Sequence, residues 1–172
     1  MALPEGRYCP YCGEGLLREP ADGRDLPEEA LKPACPSCGY IHLEAPTPVA
    51  AAIVEREGKV LLVRPHGAEE FALVGGYPEP YETIEEAAAR EVLEETGLEV
   101  HVEGILGSYS CDPMGRNLVL VVCVARVVGG DFRLQEEELA EGGWFALDGL
   151  PAWPEEWPLQ DVFADHGWEG NR

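Results

Sequence analysis

The sequence predicts an α/β fold, a mixed sheet flanked by helices and preceded by a small cysteine-bearing unit. Three observations point there. β-rich runs lie on both sides of one amphipathic helical segment, that segment carries its own start and stop signals, and two C-x-x-C pairs stand ahead of it.

Residues 1–45 form the leading unit. Its marks are Cys9-Pro10-Tyr11-Cys12-Gly13 and Cys35-Pro36-Ser37-Cys38-Gly39, with 22 residues between the two pairs. Four thiolates so arranged imply a closed Zn²⁺ site of the zinc-ribbon kind, structural because no coordination position is left for substrate. Two disulfides are the alternative and would require an oxidising compartment, whereas no signal-peptide pattern opens the chain and a cytoplasmic location is expected. The stretch from Gly13 to Ala34 holds more acid than base, so a fold-stabilising or dimer-forming ribbon is favoured over one that binds nucleic acid. Cys111 and Cys123 lie in apolar, strand-like surroundings and read as inert core thiols.

The second domain, residues 46–172, begins after a short Pro-containing joint, Glu44 to Pro48. Val49–Arg56 and Lys59–Arg64 are β-rich runs that Glu57-Gly58 joins as a hairpin. A glycine-bearing loop with Gly75-Gly76 leads to the helix. Thr83 and Glu86 have the spacing of a capping box, and Gly97 supplies the left-handed stop. Ile84 to Thr96 is then about three and a half turns, with Ile84, Ala88 and Val92 on its buried face. Glu99–Ser110 and Leu118–Val128 read as strands, the second Val-rich and buried, with Gly129-Gly130 turning the chain. Trp144–Leu147 is a further short strand, and Glu155–Ala164 is a terminal helix.

Glu91, Glu94 and Glu95 stand i, i+3, i+4 on the last turn of the helix, at the end where the macrodipole offers carboxylates nothing and where like charges repel. Such crowding calls for a cation. Oxygen-only ligands that tolerate retained water suit Mg²⁺ or Mn²⁺ better than Zn²⁺. Arg90 can pair with Glu86 or Glu94 across one turn.

Written as spacing, Gly76 is followed after five residues by Glu82, and after seven more by Arg90-Glu91-Val92-Leu93-Glu94-Glu95-Thr96-Gly97-Leu98. This segment resembles the Nudix signature at every defined position. The resemblance implies an α/β/α sandwich and a hydrolase of phosphoanhydrides. It implies that Glu91, Glu94 and Glu95 bind the metal ions, that the Gly75 carbonyl is a further ligand and that Arg90 orients Glu91. Glu82 is expected to support the loop. The general base could be one of the three box glutamates or a member of the later run Glu136, Glu137, Glu138 and Glu141, with Glu138 favoured. Homodimerisation is a family expectation.

The ribbon-plus-Nudix layout is similar to NADH and FAD pyrophosphatases. The stretch 99–117 lacks the S-Q-P-W-P-F-P type motif of the NADH group, whereas Pro113, 15 residues past Leu98, sits where ADP-ribose pyrophosphatases of the family often carry proline. ADP-ribose is therefore the favoured substrate, with NADH, FAD and diadenosine polyphosphates as alternatives. Arg64 and Arg116 are candidates to receive its phosphates. Phe71 and Tyr77 are candidates for its ring, as are Tyr81 and Tyr109. His66 reads as a surface histidine within reach of phosphate. Trp144, Trp153, Trp157 and Trp168 are assigned to packing of the last helix or to a dimer interface, with pocket lining as the lesser reading. A non-catalytic nucleotide sensor and a zinc-ribbon interaction protein are the readings from other classes.

Composition narrows the partners. Thirty-three acidic residues against 12 basic ones leave a net charge of −21, which disfavours nucleic acid and anionic membranes as partners. No 18-residue apolar run is present to span a bilayer. The expected partner is a small nucleotide, received locally by cations and placed arginines.

Overall fold

The computed structural model describes residues 8–17, 32–43, 45–155 and 157–167. The chain divides into two compact units, Met1–Ala45 and Pro46–Arg172. The expectations that fall on residues 18–31, on Glu44 and on Trp168 lie outside the described residues.

In the first unit both C-x-x-C pairs close in the same way. Gly13 donates its backbone N–H to the Cys9 carbonyl at 2.9 Å and Gly39 donates to Cys35 at 3.0 Å, both glycines lying in the left-handed region at φ 76° and 75°. A β-carbon is disfavoured there, which is why glycine follows each second cysteine. The antiparallel bridge Leu17↔Ala34 ties the two knuckles together, and Ala34↔Ile41 closes the second on itself.

The second unit is a mixed six-stranded sheet between two helices. Its strands are β1 (Thr47–Arg56), β2 (Lys59–Pro65), β3 (Val74–Gly76), β4 (Leu98–Cys111), β5 (Leu118–Gly130) and β6 (Leu139–Ala146), and its helices are α1 (Ile84–Thr96) and α2 (Leu159–Asp165). The spatial order is β4-β5-β1-β2-β6, with β3 also on β1. β1 and β5 run parallel over Thr47–Glu55 and Leu118–Arg126, and every other pairing is antiparallel. Alternation along β1 builds both cores. Ala50, Ala52 and Val54 pack with Ala87, Ala88 and Val92 of α1; Val49, Ala51 and Ile53 pack with Leu159, Val162 and Phe163 of α2. The result is the expected α/β/α sandwich. Each fully buried large aliphatic or aromatic side chain contributes about 1.5–3 kcal/mol.

The hairpin forms at Glu57-Gly58 as expected, both residues at positive φ (53° and 73°). β1 pairs with β2 only at Glu55↔Val60 and Arg56↔Lys59; nearer its start the same edge is taken by β3, at Ala50↔Gly76 to Ala52↔Val74. The sheet therefore splits beside the double glycine. Gly75-Gly76 is thus strand rather than loop, and glycine is needed for close approach: a β-carbon on Gly75 would collide with the Ala50 carbonyl and Ala51.

α1 is capped as the sequence predicts. Thr83 accepts from the Glu86 N–H at 3.2 Å, Glu86 accepts from the Thr83 N–H at 2.9 Å, and Gly97 closes the helix at φ 70°. Its buried face includes Ala87, Glu95 and Thr96, while Ile84 is only half-buried. Three boundaries differ from expectation. Gly129-Gly130 does not turn the chain but extends β5, paired with Glu99 and Leu98, where a β-carbon on Gly130 would run into the Gly97 carbonyl. β6 starts at Leu139 rather than Trp144, because its full length pairs with β2. α2 starts after Pro158, since the residue before a proline is disfavoured in helix and the expected start at Glu155 is blocked. Among the described residues no helix is long and apolar enough to cross a membrane.

Candidate active site

The last two turns of α1 are aimed at β3 by the capping box and the packing of Ala88 and Val92, and this brings Glu91 against Gly76. A β-carbon on Gly76 would overlap the Glu91 carboxylate, so glycine there makes room for an acid rather than a turn. Arg90 binds this array together. Its guanidinium donates to both oxygens of Glu82, at 2.9 Å and 3.0 Å, to Glu91 Oε1 and to Glu94 Oε2, both at 2.9 Å, and to the Tyr77 carbonyl at 3.1 Å. Glu86 is engaged in the cap, so of the two pairings expected for Arg90 only the one with Glu94 forms. Glu82 also accepts from the Glu79 N–H at 2.8 Å and anchors the loop, as anticipated. Its hydrogen bonds from Arg90 hold its carboxyl below the usual carboxylate range, and the acids around Arg90 keep that guanidinium charged.

Exposure is graded across the three metal-ligand candidates. Glu94 is exposed, Glu91 is largely covered and Glu95 is buried. Glu95 Oε2 has no hydrogen-bond partner. Burial first, and then the charges of Glu91, Glu138 and Glu94, push the Glu95 carboxyl up to about 8, although a backbone contact with Gly75 opposes the shift. Glu138 reaches the same place from the far side of the chain. The Gln135 N–H donates to the Glu95 carbonyl at 2.9 Å, the Glu138 N–H to the Gln135 carbonyl at 3.2 Å, and an open cleft is lined by Glu91, Glu94, Gln135 and Glu138. Of the four acids in the run from Glu136 to Glu141, Glu138 is the one that lines this cleft.

Other sequence-predicted residues are distributed differently. Arg64 donates to Glu141 at 3.0 Å and to the Ala68 carbonyl at 3.1 Å, with its guanidinium 6.0 Å from the Phe71 ring centre. Phe71 stacks edge-on against Phe145 at 4.9 Å. Both therefore serve the β2–β6 corner in this structure rather than standing free. Arg116 is exposed on the β4–β5 connection and has no side-chain partner among the described residues. Tyr77 and Tyr81 are exposed on the loop before α1. Tyr109 packs, partly buried, against the α2 core and donates to Asp165 at 2.8 Å, so it ties β4 to α2. His66 donates its backbone N–H to the Glu138 carbonyl at 2.9 Å and places Nε2 2.9 Å from the Glu136 carbonyl. It is a clamp on the turn bearing Glu138, a role that sequence spacing does not reveal. Trp157, expected chiefly to serve packing, lines a cavity of about 160 Å³ together with Gly75 and Glu95.

The donor set fits a divalent cation of the hard class. The oxygen donors Glu91, Glu94 and Glu95 share one helix turn, although among the described residues only the cysteines form a tight group of donor atoms, and the buried Glu95 oxygen lacks the partner that a buried carboxylate requires. Glu91, Glu94 and Glu95 would hold Mg²⁺ or Mn²⁺, with Gly75 beside Glu95. The four cysteines likewise fit zinc. Their sulfurs all lie within 4.8 Å of one another, with Cys9–Cys38 and Cys12–Cys35 at 3.5 Å, close to the roughly 3.8 Å edge of a tetrahedron whose Zn–S bonds are about 2.3 Å. Cys123 is buried and its thiol is pushed up to about 11 by burial, while Cys111 is partly covered at the end of β4.

An α/β/α sandwich with a glycine-flanked acidic helix end, its charge partly offset by one arginine and facing a cleft, defines a Nudix hydrolase. The NUDIX domain model matches residues 45–165, and the chain belongs to the Nudix family. It is 35% identical over 151 residues to the NAD-capped RNA hydrolase NudC of Chromobacterium violaceum, covering 86% of this chain and 53% of that one. It is 36% identical over 118 residues to the ADP-ribose pyrophosphatase of Methanocaldococcus jannaschii, covering 65% and 67%. Among solved structures, a NUDIX hydrolase from Nitrosomonas europaea superposes with a TM-score of 0.66 at 28% identity, covering 91% of this chain and 82% of that one. The chain spans about half the length of the NudC relatives it matches.

Proposed function

We propose that the chain is a divalent-cation-dependent diphosphatase that cleaves the phosphoanhydride of a nucleoside diphosphate derivative, with ADP-ribose the favoured substrate. The observation that carries this reading is a cleft lined by Glu91, Glu94 and Glu138, with the buried, unpartnered Glu95 Oε2 on the same helix turn. Bound Mg²⁺ or Mn²⁺ supplies Lewis-acid charge that polarises the diphosphate and acidifies water. The residues do the rest. Arg90 holds Glu91 and Glu94 in position, Gly76 leaves room for Glu91, and Glu138 accepts the proton of the attacking water. One P–O bond forms from water and the bridging P–O bond breaks, giving AMP and ribose 5-phosphate from ADP-ribose without a covalent intermediate on the protein.

ADP-ribose is favoured over NADH because residues 99–117 lack the motif of the NADH group and because Pro113, buried just past the end of β4, occupies the position described above. The similarity to an enzyme named ADP-ribose pyrophosphatase, of which the chain covers two thirds, points the same way. Residues 1–45 are read as a structural zinc ribbon and 46–172 as the hydrolase domain. The protein is proposed to be a cytoplasmic homodimer acting on small nucleotides. Phosphate release from ADP-ribose, NADH, FAD and diadenosine polyphosphates with Mg²⁺ tests the reading. ADP-ribose is expected to give the highest kcat/KM, and turnover no greater than that of a Glu94→Gln control for every compound would overturn it.

A further inference from the structure

The four cysteines of the first unit differ in exposure by their place in each knuckle. Cys9 and Cys35, which open the two C-x-x-C pairs, are buried, whereas Cys12 and Cys38, which end them, are exposed. Their close contacts run between the knuckles. Cys9 Sγ lies 3.5 Å from Cys38 Sγ and Cys12 Sγ lies 3.5 Å from Cys35 Sγ, with the two exposed sulfurs 3.8 Å apart. Each exposed sulfur therefore has a covered sulfur of the other knuckle in contact with it.

Reversible thiol oxidation needs that arrangement. A sulfur open to solvent must meet the oxidant, and a second sulfur must capture the product before it is oxidised further. Zn²⁺ holds its cysteines as thiolates, the form that attacks, and has no redox chemistry of its own, so the electrons come from sulfur alone. The other two cysteines lack the geometry. Cys111 pairs with Leu118 on β5, and Cys123 lies five residues further along that strand, about 16 Å away at roughly 3.3 Å per residue, whereas a disulfide needs α-carbons within about 7 Å.

We propose that the four-cysteine site is also a peroxide-reactive modification site, in which Cys12 and Cys38 are oxidised first and Cys35 and Cys9 resolve them, forming the disulfides Cys12–Cys35 and Cys9–Cys38 and releasing Zn²⁺. The exposed thiolate attacks hydrogen peroxide; an S–O bond forms, the O–O bond breaks, and hydroxide leaves a sulfenic acid behind. The covered thiolate of the other knuckle then attacks that sulfur. An S–S bond forms, the S–O bond breaks and a second hydroxide departs. Two electrons pass from two sulfurs to one peroxide for each disulfide, and zinc leaves as Zn²⁺. Both bridges join the knuckles that the metal had joined, and a thiol reductant reverses them. The inference rests on the zinc reading of residues 1–45 and is independent of the diphosphatase reading.

The test uses the full chain loaded with Zn²⁺ and treated with hydrogen peroxide. Free thiols should fall from six to two, Cys111 and Cys123 remaining, while the metal appears in solution on a chromogenic chelator. Trypsin followed by mass spectrometry reads the pairing, because Arg18 and Arg24 lie between the knuckles and put the two C-x-x-C pairs on separate fragments. Those fragments should stay joined until reduced, and tandem spectra should assign Cys12–Cys35 and Cys9–Cys38. Dimedone added with limiting peroxide should mark Cys12 or Cys38 before any other cysteine, and dithiothreitol with fresh Zn²⁺ should restore the thiols and the metal. A chain that takes up no zinc, any other pairing, sulfinic acid in place of disulfide, or first labelling at Cys9, Cys35, Cys111 or Cys123 overturns the assignment.

Discussion

The four cysteines of the first unit and the three glutamates on the last turn of α1 in the second are both sets of candidate metal donors, but they are held by different means. The four sulfurs are joined through two glycine-closed knuckles and three antiparallel bridges, and among the described residues of that unit only Cys9, Pro33 and Cys35 are buried. The carboxylates sit on a helix whose other face is sealed into the core by Ala87, Ala88 and Val92, and Arg90 already offsets part of their repulsion. On the proposed reading, a metal in the first place would substitute for a hydrophobic core, whereas one in the second would be added to a helix already packed into its core. One cluster is therefore a test of stability and the other of rate.

The largest effect that would sharpen this contrast is on catalysis. Glu94→Gln or Glu95→Gln should lower the rate of diphosphate cleavage by roughly 10²–10⁴-fold, the range associated with losing a catalytic carboxylate, while the melting temperature of the second unit holds or rises. A fall in melting temperature matching the fall in rate would break the distinction. The mirror experiment is Cys9→Ser, which should release zinc, measured as metal content per chain, and unfold the first unit before it affects hydrolysis. Equal thermal melting of mutant and parent would contradict the structural-zinc assignment.

Next in size, Arg90→Lys should reduce kcat by roughly 10–100-fold, the cost typical of losing an outer-shell partner of metal ligands, because an ammonium cannot span Glu82, Glu91 and Glu94 as the guanidinium does. Steady-state kinetics at saturating Mg²⁺ decide it.

A subtler effect is on pH. Burial raises the folded-state pKa of Glu95 from 4.5 to about 8, so without cations the folded protein keeps a proton that the unfolded chain releases. Stability should then fall as pH rises from about 4.5 to about 8 and level off above, a loss of a few kcal/mol accumulating at about 1.4 kcal/mol for each pH step of one between those values. Urea melts in buffer free of Mg²⁺ and Mn²⁺ should show this decline in the parent and its loss in Glu95→Gln. The smallest change expected is for His66→Ala, which should loosen the Glu138 turn and lower kcat several-fold while leaving the melting temperature of the second unit close to that of the parent.

Much of this is legible in the sequence because the signals are local. Thr83, Glu86 and Gly97 specify α1 within one residue at each end, since caps act on neighbouring backbone groups. Spacing alone puts Glu91, Glu94 and Glu95 on one side of a helix turn. The double glycines mislead for the opposite reason: Gly75, Gly76, Gly129 and Gly130 are small because other parts of the chain press against them, and a turn and a close contact look alike in sequence. Arg64, Phe71 and Tyr109 point toward substrate by their types, yet Glu141, Phe145 and Asp165 engage them from distant strands and helix.

The order of residues along the chain is enough to establish the α/β class, the helix with its acidic end, the two knuckles and the anionic character of the molecule, because each depends on spacing, composition or contacts a few residues apart. Which acid of the later run meets the helix, what Arg90 holds, and how Trp157 comes to stand beside Glu95 are settled by the packing of strands far apart in sequence. Those contacts arise from sheet order and the split between β2 and β3, and no periodicity or motif encodes them locally.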